Sequence, residues 1–245
     1  MSPALAYAAF ESSPTLRQQG EAFIYNVESG DWRQHEALIA LMARFDDELT
    51  DAFVVEAIDA MNLGDKTRAV ARSAVSTLKT TSQKLARQIA PKFTEEVMRR
   101  ISDHIKDVSL LLPGEDGARH FIGVRAAPEL EALRAEVVRR IRAGEGPALH
   151  GDFTRLLHGV VDLMLEEFYM KQIRLFGLGL VSRKLIDGGV AIGRGAQHQL
   201  IKWVVPSLDQ AGLERMANYA DRVTLHLDAH PEFRFFYHEP ALAIV

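Results

Sequence analysis

No cysteine occurs anywhere in the chain. That excludes disulfides, thiolate metal sites, cysteine nucleophiles and cysteine-ligated iron–sulfur clusters. It also excludes covalent haem attachment, which needs CxxCH. The composition fits a reducing compartment, and a cytoplasmic location is expected. Long apolar runs are missing too: eighteen consecutive apolar residues occur nowhere, so no spanning helix is expected. The first ten residues have no Lys or Arg, and their apolar run contains Pro3 and stops at Glu11, which makes a poor signal peptide. The GxxxxGK[ST] phosphate loop, the G-x-S-x-G elbow, HExxH and the Glu-x-x-His pairs of di-iron bundles are all absent. Neither an internal repeat nor a sustained heptad is found.

Charge is unevenly placed. Residues 66–92 carry Lys66, Arg68, Arg72, Lys79, Lys84, Arg87 and Lys92 and no acid, whereas the preceding 65 residues are strongly acidic. A basic helix can neutralise phosphates, so an anionic partner at 66–92 is one reading. Nucleic acid is the obvious anion, but no aromatic residues are interleaved for stacking on bases and no nucleic-acid motif is recognisable. The other reading is internal. The helix before it offers Asp46, Asp47, Glu48, Asp51, Glu56 and Asp59, and surface pairs of that kind add about 0–1 kcal/mol each.

Apolar spacing is that of helices. Leu38, Met42, Phe45, Leu49 and Phe53 make one stripe, preceded by the capping-box pair Asp31 and Gln34 and stopped at Gly64. Val70, Ala74, Leu78, Leu85 and Ile89 make a second, ended by Pro91. Thr94 caps a third, through Val97, Ile101, Ile105, Val108 and Leu112. Residues 113–127 read as a loop with a short extended piece at His120 to Val124, and this loop is the one plausible boundary in an otherwise single domain. Pro128 opens the next helix. Residues 153–186 lack proline and are apolar on nearly every face, which predicts a buried central helix. A last helix is expected from Ser207, with Gln210 as capping partner, to His226. The tail at 229–245 carries two prolines and four aromatics and is expected to lie extended over the body. The fold expected is all-α: a bundle of six or seven helices around the helix at 153–186.

Four groups of residues could carry chemistry. Gly193, Arg194 and Gly195, with Lys202 beyond, could present backbone amides and positive charge to an anion or ligand. Glycines at Gly189 and Gly193 serve close helix packing equally well. His226, His230 and His238 are near one another in sequence, and the first two have the i, i+4 spacing of a metal pair, although Pro231 ends the helix there. His104 and His158 sit on apolar helices, where an imidazole can ligate haem iron or be an ordinary core residue. Glu166 and Glu167 on the central helix would have raised pKa values if buried, but adjacent acids usually mark a wet face.

These features favour a soluble, non-catalytic helical protein with a binding or regulatory role, acting as a homo-oligomer, for which a twofold dimer is the commonest symmetry. The competing expectation is an enzyme or ligand-binding sensor with a pocket between helices around 153–205, using haem or a histidine-bound metal.

Overall fold

The computed structural model describes residues 5–65, 68–69, 79–80, 83–84, 86–114, 117–175 and 180–227. Helix predominates, but the chain is not all-α. Four strands form one antiparallel sheet: β1 (Leu5–Glu11), β2 (Ser109–Gly114), β3 (Gly117–Arg125) and β4 (Thr224–Leu227), in the spatial order β2-β3-β1-β4. The helix-only bundle expected from periodicity is therefore wrong. Residues 113–127, read as a loop, are mostly the β2–β3 hairpin. Leu110 and Leu112, read as the end of a helix, are in β2, and the helix expected to run to His226 stops at Arg222 before β4.

The sheet hides from pattern reading because both its faces are apolar. Ala8 and Phe10 of β1 join Ile122 and Val124 of β3 in a large core under the helices. Tyr7 and Ala9 point the other way and meet Leu110 and Phe121. A strand with one wet face alternates apolar and polar residues; a strand apolar on both sides does not.

The helices follow their local signals more closely. Helix α1 (Pro14–Glu28) has Pro14 in its first turn and Ser13 as N-cap, with the Ser13 hydroxyl accepting from the Leu16 amide at 3.1 Å. Helix α2 (His35–Thr50) passes through a π turn at Asp51–Val55 into α3 (Glu56–Met61), which ends on left-handed Asn62 at φ 51°. Asp31 and Gln34 do not form the expected box: their side chains bond to each other, and α2 starts after them. Thr94 caps α4 (Glu95–Val108) as expected. Pro128 opens α5 (Pro128–Arg140).

The expected central helix also needs correction. Helix α6 (His150–Leu165) continues through a π turn at Glu166–Met170 into α7 (Lys171–Leu175), and α8 (Leu180–Val204) is a further helix packed along α6. This element is not a uniformly buried rod. Phe153 and Leu156 enter one core with Ile141, Leu213 and Met216; Met164 and Phe168 enter the other with Phe23, Leu38 and Met98. The chain from His150 to Leu175 is apolar all round because it serves two cores in succession, while Leu157, Val161 and Leu165 stay half-buried. The last helix among the described residues is α9 (Gln210–Arg222), capped by Asp209 rather than Ser207, with the Asp209 carboxylate accepting from the Gly212 amide at 2.7 Å. Among the described residues no helix is long and apolar enough to cross a membrane. The tail at 229–245 lies outside the described residues, as does much of 66–92.

Candidate functional site: an apolar cavity among the helices

The apolar stripes of α1, α2, α4 and α6 do not close completely on one another. They leave a cavity of about 570 Å³. Leu16 and Gly20 of α1, Met42 and Phe45 of α2, and Ile105 of α4 form one wall. Val161 and Leu165 of α6 face it, with Val190, Gly193 and Gln197 set a helical turn apart on α8. Ile122 of β3 contributes from the sheet. Volumes of about 300–1,000 Å³ are usual for small-molecule sites.

Polar groups are a minority of the lining, and the described contacts occupy several of them. Asp46 is buried among Phe45, Leu49 and Met42 and accepts a hydrogen bond from the Tyr169 hydroxyl at 3.3 Å. Burial, reinforced by the Asp46 carboxylate, pushes the Tyr169 hydroxyl well above its ordinary pKa, so it stays a donor. His120 on β3 shares a 2.5 Å hydrogen bond between Nδ1 and the Ser12 hydroxyl. Burial, and then the positive charge of Arg17, pull His120 down to about 4. That imidazole is neutral at pH 7 and is too weak a base to activate Ser12 there. Burial likewise lowers His104, which lines the cavity from α4. The lining thus presents mainly apolar surface, with neutral His104 and His120 and with charged groups of which Arg17 pairs with Glu21 and Lys79 with Asp47 and Asp51, an arrangement suited to holding a lipophilic molecule.

The residues singled out from sequence are dispersed. Gly193 is buried in the cavity wall, but Arg194 turns to Asp162 of α6, with its Nε 3.1 Å from the carboxylate. Gly195 and Lys202 are exposed on α8. His158 stacks on His198, with ring centroids 4.0 Å apart and an interplanar angle of 18°, and His198 Nε2 is 3.3 Å from Asp162. His104 and His158 are therefore placed differently: one lines the cavity, the other sits in the α6–α8 contact. His226, on β4, pairs with Glu131 at 2.9 Å. His230 and His238 lie outside the described residues. No group of three or more His, Asp or Glu that could hold a metal occurs among the described residues. Glu166 and Glu167 pair with Arg174 and Lys171.

Two cations of the basic stretch meet the acidic helix before it. Lys79 Nζ is 3.2 Å from Asp47 and 3.3 Å from Asp51, and Arg68 is 3.8 Å from Asp59. Sequence reasoning missed the Asp46–Tyr169 pair, though a signal existed. Asp46 occupies a position on the stripe of Leu38, Met42, Phe45 and Leu49 that should be apolar.

No family model, curated protein or solved structure matches this chain.

Proposed function

We propose that the protein is a non-catalytic binding or regulatory protein whose ligand is a lipophilic small molecule held in the cavity between α1, α2, α4, α6 and α8. The observation that carries this reading is the cavity itself: about 570 Å³, walled largely by apolar side chains of α1, α2, α4, α6, α7 and α8, of residues 86–89 and of β3. At roughly 25 cal/mol per Å² of apolar surface covered, a ligand that fills such a space draws its affinity from burial. The Asp46–Tyr169 pair and neutral His104 and His120 supply local polarity, and two cations of the lining, Arg17 and Lys79, are paired with carboxylates. Within this proposal the protein is cytoplasmic and soluble, and works as a homo-oligomer. Trp203, 75% exposed beside Lys202, is the kind of aromatic that anchors an interface between copies.

The test is a titration with an environment-sensitive hydrophobic fluorophore, paired with native mass spectrometry of protein purified from cells. The expected result is saturable one-to-one binding that Val161→Phe or Leu165→Phe abolishes while the far-UV spectrum is unchanged. Absence of saturable binding, or equal binding by the filled variants, overturns the proposal.

A further inference from the structure

We infer that the cavity ligand is an amphiphile with an anionic head, a carboxylate or a phosphate, held at the cavity mouth by Lys84 and Arg87 while its apolar body lies inside. The inference rests on the reading of the cavity as a lipophilic binding site and adds the chemistry of the ligand's polar end. Two cations of the lining are neutralised, Arg17 by Glu21 and Lys79 by Asp47 and Asp51. Lys84 differs from both. It lines the cavity yet is exposed, and no carboxylate pairs with it among the described residues. A lysine of this kind runs its stem along the apolar wall and keeps its ammonium in water, which places it where the cavity opens.

The backbone around Lys84 builds this rim. Residues 83–84 and 86–89 are helical, so Arg87 and Gln88, three and four positions on, share a helix surface with Lys84, and both are exposed. Gln88 lines the cavity too, and Arg87 has no carboxylate partner among the described residues. The other side of the same turn faces inward, where Ala86 and Ile89 are buried and line the cavity. One short helical segment thus supplies both apolar wall and a rim with two uncompensated positive charges. Deeper in the wall the sign reverses. Asp46 is buried there, and an acid repels an anion, so a negatively charged head is directed outward to the rim. A cationic head would meet repulsion at Lys84 and Arg87, and a neutral one would gain no charge pairing there. The space suits a chain: about 570 Å³ holds on the order of twenty groups of about 30 Å³, the share of one water in the liquid.

The test uses decanoate and decanol, which differ only in the head, as competitors of the hydrophobic fluorophore for the full chain at pH 8 and low salt. The readout is the ratio of the two affinities, compared between the wild type and the variant carrying Lys84→Gln and Arg87→Gln. Both side chains are exposed, so thermal unfolding should be unchanged; Lys84→Gln alone is used if it is not. The expected result is a roughly three- to tenfold fall in the ratio, through decanoate alone, with Lys84→Arg keeping the wild-type ratio and added salt reducing it. Decyl phosphate, run alongside, tells the two heads apart: the rim suits the head that loses more affinity in the double variant. An unchanged ratio for both heads overturns the inference and leaves the lipophilic site standing. So does failure of every amphiphile to displace a fluorophore that still binds. Absence of fluorophore binding overturns both readings.

Discussion

Acidification should destabilise this protein through His120 before its carboxylates are protonated. The imidazole is buried at 8% exposure, is bonded to Ser12, and is held at about 4, against an ordinary value of 6.5. Between pH 6.5 and 4 the unfolded chain binds a proton here that the native state refuses, so stability rises with pH across this window and is lost as pH falls. Taking 6.5 unfolded and about 4 folded, the loss between pH 8 and pH 5 is about 2 kcal/mol, approaching about 3.4 kcal/mol once pH lies below both values. Burial of His104 adds to the loss in the same direction. Glu11 and Glu131 are lowered below 4.5, so their stabilising contributions persist through this window and fail only at lower pH. The assay is urea unfolding at pH 8, 6 and 5, monitored by circular dichroism. At a slope of about 2–3 kcal/mol per molar urea, the midpoint should fall by about 0.7–1 M between pH 8 and pH 5. His120→Gln keeps a hydrogen-bonding side chain beside Ser12 but cannot titrate, and should remove most of that fall. A variant with the same pH dependence as the wild type would refute the reasoning.

Other substitutions test packing. A Cβ at Gly20 meets only Ile105 Cγ2 at 4.0 Å, so Gly20→Ala should raise stability by about 0.5–1 kcal/mol in urea unfolding, because the helix gains an alanine without a clash. At Gly123 the same atom would lie 2.6 Å from Ala9 Cβ and 2.9 Å from Leu110 Cδ1, so Gly123→Ala should lower stability by about 1–3 kcal/mol in the same assay. Tyr219→Phe removes a 2.9 Å hydrogen bond to the Ala52 carbonyl and should cost about 1 kcal/mol, read as a lower melting temperature. Leu156 is 2% exposed and Leu157 only half-buried, so Leu156→Ala should cost about 2–5 kcal/mol and Leu157→Ala clearly less; equal losses would contradict the facing of α6.

Helices are legible in the sequence where local chemistry decides them. Thr94 and Pro128 mark real helix starts, and the stripe from Leu38 to Phe53 is a real helical face. Strands are not, for three different reasons. Leu5–Glu11 has no β-branched residue and no alternation, since its two faces are both covered with apolar side chains. Leu110 to Leu112 continues the apolar spacing of the helix before it, so no pattern marks the change at Ser109. Thr224–Leu227 is four residues long and is held in place by pairing with β1 rather than by its own preference. The cavity is harder still. Part of its wall falls within 153–205, where the sequence suggests a pocket, but the facing wall comes from α1, α2 and α4, and no local pattern relates Leu16 or Gly20 to Val161.

The strand order has a consequence during synthesis. β1 leaves the ribosome before either of its partners, yet it sits between β3 and β4. Its partner on one side begins at Gly117, and on the other at Thr224. At about 5–20 residues per second, the second partner emerges roughly 10–40 s after β1 does. Until β3 emerges, a short apolar strand has nothing to pair with, and until β4 emerges one of its edges stays open. The nascent chain must therefore keep Leu5–Glu11 from pairing elsewhere, and the sheet is completed only after the helices between β3 and β4 have been made.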